Sequence, residues 1–290
     1  MSYQEMKEYK QLRIGETPVV KLENLDLDST NHNIFAKLEL YNPTGSHKDR
    51  ESLELVTYCI KNGLKDIGCA STGNFGISLS YLSNIFKIRC HVWVSNRISS
   101  FRESYLKSFG AIIYKVEGGL CDIYKYSSEI MKDKGIYDAN PGGNQIKINA
   151  NKKIFEEVIN DLPDINLITT CINNGTHYLG LFEAAREYNI PINAIFTFDK
   201  RAKSISGFTG YEGMEKIKIN IDKNNGSLIE ANSDDINLGL KITKENGLIV
   251  EASSAAVIGV ALRSSKENRN VCCIITGNGL KYPEEIMINN

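Results

Sequence analysis

The chain has 290 residues, 42% of them hydrophobic and 24% charged, with a formal net charge of −1. That length suits one large core or two smaller ones, and a near-neutral balance removes the electrostatic basis for a nucleic-acid or membrane-surface partner. No apolar run reaches the ~18 residues of a membrane span, and Met1–Lys7 lacks the apolar segment of a secretory signal, so a cytoplasmic protein is expected.

Along the chain, short apolar runs rich in β-branched residues alternate with amphipathic helical patterns. Strands are predicted at Ile34–Leu40, Ile67–Ala70, Cys90–Val94 and Ala111–Val116, with helices across Gly76–Phe86, Phe101–Phe109 and Asp122–Lys134. The rhythm then repeats. Helices are predicted at Lys152–Asp161, Leu179–Tyr188, Ser233–Glu245 and Ser254–Ser264, and strands at Leu167–Ile172, Ala194–Phe198, Gly226–Glu230 and Val271–Thr276. Such alternation means parallel sheets flanked by helices. Asn140-Pro141-Gly142-Gly143-Asn144 concentrates turn residues between the two series, which predicts two α/β domains. Lys200–Asn225, with Gly207, Gly210 and Gly213, reads as a loop-rich stretch.

Seven cysteines sit mostly in apolar runs with no C-x-x-C pair, the pattern of buried reduced thiols. The four histidines are scattered and form no H-E-x-x-H, so no metal site is expected.

Five segments carry chemically capable residues. In Tyr41-Asn-Pro-Thr-Gly-Ser-His-Lys48-Asp-Arg50 a strand runs into a Pro/Gly turn, Ser46 suits a helix N-cap, and Lys48 falls in the first helical turn. A cation there opposes the helix dipole and loses its proton more easily, as imine formation with an aldehyde requires. A solvated surface lysine is the plain alternative. In Ala70-Ser71-Thr72-Gly73-Asn74, hydroxyls and backbone N–H groups suit a carboxylate. An ordinary capped turn is the competing reading. Asn173-Asn174-Gly175-Thr176-His177 lets N–H groups converge on a phosphate, although it is neither a Walker A loop nor G-x-G-x-x-G, and a bland turn competes. Gly247–Ala256 and Ile275–Lys281 are weaker. In the latter, Thr276 ends an apolar strand and offers a hydroxyl to an aromatic ring nitrogen.

Taken in order, these segments resemble the tryptophan-synthase-β-like enzymes that use pyridoxal 5'-phosphate (PLP), also called fold type II, and among them threonine synthase. Asn42–Arg50 is similar to the family's N-P-T-G-S-F-K-D-R, and Arg13–Val20 to its G-x-T-P-L opening. Ser71–Asn74 matches its asparagine loop and Asn174–Thr176 its phosphate loop. Gly247–Ala256 is similar to G-x-x-V-E-P-S-S-A-A, and Ile275–Lys281 to L-T-G-H-G-L-K. The resemblance implies an α/β fold of two domains with mainly parallel sheets. Residues 1–40 with 140–290 would form the large PLP-binding domain and 41–139 the small one. It implies Lys48 as the Schiff-base lysine and proton-moving base, and Asn74 on the cofactor's phenolic oxygen. Ser71 and Thr72 would take the substrate carboxylate, Asn174, Gly175, Thr176 and His177 the cofactor phosphate, and Thr276 the pyridine nitrogen. The expected activity is that of a lyase converting O-phosphohomoserine to threonine, with a small amino-acid substrate and a homodimeric assembly. A serine/threonine dehydratase, a cysteine-synthase-type replacement enzyme, an enzyme of specialised amino-acid biosynthesis or a non-catalytic homologue are the alternatives. Lys203, Ser204, Ser206 and Arg50 are candidates for a substrate phosphate. The chain departs from the pattern at His47 (apolar in the family), Glu51 (often glycine), Ala252 (proline) and Asn278 (histidine).

Overall fold

A computed structural model describes residues 9–23, 25, 33–141, 144–206, 217–221, 223, 225–264 and 269–282. Met1–Lys7, the two glycines 142 and 143 of the expected break and the three glycines 207, 210 and 213 of the loop-rich stretch lie outside them. The chain divides into two compact units: residues up to Ile14 with Lys48–Ala150, and Gly15–His47 with Asn151–Asn290. The junctions at 47/48 and 150/151 lie seven and eleven residues beyond the expected 40/41 and 139/140, the second of them inside one continuous helix, Gln145–Asp161, and residues 9–14, expected in the large domain, fall with the first unit.

The first unit holds an all-parallel four-stranded sheet in the order β5-β4-β3-β6, from β3 (Asp66–Ala70), β4 (Arg89–Ser95), β5 (Ile112–Val116) and β6 (Tyr137–Asp138). Successive strand residues face opposite sides, and both sides are covered. Ile67, Cys69, Cys90, Val92 and Val94 pack with α1 (Lys48–Lys61), α2 (Asn74–Ile85) and α3 (Ser100–Ser108). Ala70 and Trp93 pack on the other face with Ile123 and Met131 of α4 (Leu120–Lys134). Gly68 permits that closeness, since a Cβ there would lie 2.7 Å from Met131 Sδ.

The second unit is built on a six-stranded sheet, β1-β2-β10-β7-β8-β9. Its strands are β1 (Val19–Lys21), β2 (Asn33–Lys37), β7 (Leu167–Cys171), β8 (Ile192–Phe196), β9 (Leu228–Glu230) and β10 (Asn270–Ile274). Only β1, at the edge, pairs antiparallel. One face meets α7 (Ser233–Glu245) and α8 (Ala252–Ser264). The other meets α5 (Gln145–Asp161) and α6 (Thr176–Ala185). The adjacent Cys272 and Cys273 therefore point into opposite cores. Six of the seven cysteines are buried and reduced, with Cys121 exposed, and burial pushes the thiols of Cys59, Cys90 and Cys272 up to about 12. Helix α8 is buried from Ala252 to Leu262, the signature of a central helix. Among the described residues no helix is long and apolar enough to cross a membrane.

At the start of the loop-rich stretch, Arg201 pairs with Asp199 (Nη2–Oδ2, 2.8 Å) and also binds Asn237 Oδ1. The guanidinium holds the Asp199 carboxyl down at about 2, against an ordinary 3.8. A carboxyl depressed on folding adds stability above its unfolded pKa, and that stability disappears as pH falls through the folded one. Urea unfolding should therefore show lower stability at about pH 3 than at about pH 5, and Arg201→Gln should shrink that difference.

Candidate active site

The candidate residues fall in both units. In the first unit Lys48 is the first residue of α1, with Asp49 and Glu51 as the acids of the first turn. The sequence suggested an amine beside the helix dipole alone. The structure adds a carboxylate: Lys48 Nζ lies 2.7 Å from Oε1 of Glu51, which is fully buried. The other carboxylate oxygen, Oε2, lies 3.5 Å from Nζ of Lys147, itself 1% exposed. Lys147 also donates to the Ala139 carbonyl (3.2 Å) and stands 3.7 Å from the centre of the Phe75 ring. Burial pulls the Lys147 pKa down and Glu51 pulls it back up. Asn144 caps the helix that carries it, accepting from the N–H groups of Ile146 (3.0 Å) and Lys147 (3.4 Å).

Phe75 follows Asn74, the first residue of α2, so Lys147 ties the lysine turn to the asparagine turn. Ser71 Oγ accepts from the N–H groups of Gly73 (3.3 Å) and Gly76 (3.1 Å). It thus satisfies orphan donors at the helix start while its own proton stays available to an anion. Gly76 is required there, since a Cβ would lie 2.4 Å from the Ser71 carbonyl oxygen. Thr72 and Asn74 are half-buried on the same turn. Arg50 is 4% exposed.

In the second unit the turn Asn173–Gly175 leads from β7 into α6. Gly175 adopts φ +82° as the N-cap, a region that disfavours any side chain, and Asn174 Oδ1 accepts from the Thr176 N–H at 3.1 Å. Thr176 and His177 are buried. The His177 ring is engaged at both nitrogens, Nδ1 with Asn151 Oδ1 and Nε2 with Thr170 Oγ1, each at 2.9 Å. The imidazole of His177 is thus held within the second unit. Its ring sits 4.6 Å from that of His47, and His47 Nδ1 lies 3.2 Å from the Thr276 carbonyl. Thr276 Oγ1 lies 3.3 Å from both Ser254 Oγ and Cys171 Sγ. His47, Cys171 and Ser254 thus link the Gly175 turn to Thr276.

The turn before Lys48 is fixed to the same place. His47 N–H donates to the Thr276 carbonyl (3.1 Å), Asn278 N–H to the Gly45 carbonyl (2.9 Å) and Lys281 Nζ to that same carbonyl (3.0 Å). Asn278 Oδ1 caps the short turn at Gly279–Lys281 by accepting from Leu280 N–H at 2.9 Å, which gives this departure from the family pattern a structural role. Lys203 and Ser204 are exposed and Ser206 half-buried. The Ser204 carbonyl accepts from Asn173 Nδ2 at 2.6 Å, which brings this candidate segment to the Gly175 turn. Among the described residues no group of three His, Cys, Asp or Glu is placed to hold a metal.

Sequence reasoning missed Lys147, read Cys171 only as a buried thiol, and noted Glu51 only as a departure. Ser254 lay in a segment already singled out, yet its meeting with Thr276 needs the strand order.

In the first unit a half-buried amine and an amide stand at two helix starts, and in the second a positive-φ glycine turn opens a helix; these are the group types that an aldehyde, a phenolic oxygen and a phosphate call for. The family model for pyridoxal-phosphate dependent enzymes matches residues 10–277, and the chain belongs to that family; its two sheets carry fold type II and its cofactor is PLP. Among curated proteins it is similar to threonine synthase of Methanocaldococcus jannaschii, 26% identical over 93% of this chain and 76% of the relative. It is also similar to cysteine synthase of Staphylococcus aureus, 23% identical over 93% of each. Among solved structures, cysteine synthase of Entamoeba histolytica superposes with a TM-score of 0.82 at 22% identity, covering 96% of this chain and 90% of that one.

Proposed function

We propose that this enzyme is a lyase of the threonine-synthase kind, taking O-phosphohomoserine to threonine by γ-elimination of phosphate and addition of water at Cβ. The observation that carries the reading is Thr276. Its hydroxyl, set between Ser254 and Cys171, is a neutral partner for the pyridine nitrogen and cannot keep it protonated as a carboxylate would. Bound PLP supplies an electron sink for the Cα carbanion, and a weaker sink suits elimination and replacement better than transamination. Lys48 holds the cofactor and then moves protons at Cα and Cβ. Asn74 orients the phenolic oxygen, and Ser71 and Thr72 receive the substrate carboxylate. Asn174, Gly175, Thr176 and His177 hold the cofactor phosphate. We read the protein as a cytoplasmic homodimer acting on a small amino acid. The Staphylococcus aureus relative, matched over 93% of both chains, favours a second reading, cysteine-synthase-type β-replacement.

A substrate panel separates them. The holoenzyme should release phosphate and form threonine from O-phosphohomoserine, and form no α-keto acid from serine or threonine. Cysteine from O-acetylserine and sulfide, or keto acid from serine, without phosphate release from phosphohomoserine, would sink the first reading.

A further inference from the structure

Glu51 stands where the resemblance leads one to expect glycine, and it is fully buried between two amines, Lys48 at 2.7 Å and Lys147 at 3.5 Å. A buried carboxylate so placed is not helix decoration, because an exposed acid of the first turn would serve the dipole equally well. We propose that Glu51 and Lys147 are positioning residues for Lys48 that hold its proton: Glu51 fixes the Lys48 amine at the head of α1 and relays its proton to Lys147. The proposal rests on the reading that Lys48 binds the cofactor.

The step balances. An N–H bond of the Lys48 ammonium breaks as an O–H bond forms on Glu51, rotation of the carboxyl group turns that O–H toward Lys147, and it breaks as an N–H bond forms on a neutral Lys147. Lys48 is left as the neutral amine that attack on an aldehyde requires, and the charge of the three groups together is unchanged. That constancy matters because Glu51 and Lys147 are buried, where releasing net charge is expensive. Burial favours a neutral Lys147 as the acceptor. Once protonated, Lys147 has the Ala139 carbonyl and the Phe75 ring face to receive it. The titratable groups facing the pair are Lys48 and Glu51 from α1 and Cys69 from β3, with Asp138 of β6 acting in turn on Cys69. Burial pushes the Cys69 thiol well up, so it stays uncharged and offers no competing base.

The test follows PLP capture by the apoprotein, read as the rate at which the visible imine band appears from about pH 6 to about pH 9. With an internal acceptor the wild-type rate should vary little across the neutral range. Without one it should climb ~10-fold per pH unit, as loss of the proton to solvent demands. Glu51→Gln should capture PLP at least ~10-fold more slowly near neutrality and acquire that climb. Lys147→Arg keeps a cation but cannot become neutral, so it should fold and yet behave like Glu51→Gln. A merely structural pairing would instead be rescued by arginine. Circular dichroism reports folding. Should Glu51→Gln fail to fold, the wild-type profile and Lys147→Arg still decide. A ~10-fold climb per unit in the wild type, or wild-type behaviour in Lys147→Arg, overturns the relay. Borohydride reduction and peptide mass analysis locate the cofactor. A wild type that takes up no PLP, or carries it on another lysine, overturns the underlying reading of Lys48 and with it the relay.

Discussion

Lys48→Ala protein should fold normally, show no absorption band near the ~410–420 nm of PLP–lysine imines, and turn over substrate at least ~1,000-fold more slowly. The fold should survive because Glu51 still has Lys147 at 3.5 Å, which can take up a proton and balance its charge, and the Lys48 side chain is itself 16% exposed. Removing one partner of a buried pair is severe only when the other charge is left alone. The loss of function should be large because, in the proposed role, the same amine holds the cofactor and moves protons, so one truncation removes covalent attachment and general base together. The measurement is a spectrum and a thermal melt of the reconstituted protein beside wild type. A retained band, or activity within tenfold of wild type, would remove Lys48 from the chemistry.

How much of this was legible beforehand depends on the kind of signal. The alternation of apolar runs gave two parallel sheets, because β3, β4, β7, β8 and β10 are each covered on both faces and so read as short continuous hydrophobic runs. Short edge pieces escaped. Val19–Lys21 and Tyr137–Asp138 are three and two residues long, too short for any period to register. Helix starts were placed late where a polar residue opens the helix. Gln145–Asp161 begins seven residues before the predicted Lys152, because the Asn144 side chain caps it. That shift concealed Lys147, which in the string Ile146-Lys147-Ile148-Asn149 looks like any solvated lysine.

The candidate site divides along the same line. Lys48, Asn74, Gly175 and Thr276 were visible because each lies in a turn with characteristic chemistry after a strand. The ion pairs around them were not, since a buried lysine and an exposed one are spelled alike. Glu51 was visible only as a mismatch with a resemblance, and its meaning required the position of a residue 96 places further on. Ser254 belongs with these, because its approach to Thr276 depends on how closely α7 and α8 pack.

That packing has a sharp test in Gly259→Ala, which should destabilise the protein by about 3 kcal/mol or more. Helices α7 and α8 meet where glycines remove the side chain: a Cβ on Gly259 would lie 1.9 Å from the Asp235 carbonyl oxygen, and one on Gly239 as close to that of Ala255. These are backbone obstacles, so no rotamer change can relieve them, and the helices must separate. Asp235 cannot follow freely. It closes the capping box with Asn232 at the start of α7 and takes two hydrogen bonds from Arg263, at 2.8 and 3.0 Å. A ~3 kcal/mol change corresponds to a fall in Tm of about 5 °C for a protein this large. The displacement should also reach the site, since the first turn of α8 delivers Ser254 to the Thr276 hydroxyl and to the Gly277 N–H, both at 3.3 Å. The variant should therefore melt earlier and bind PLP more weakly even below its transition. A melt within about 2 °C of wild type would mean that the two helices tolerate a wider spacing, and Ser254 would then owe its position to β10 rather than to α7.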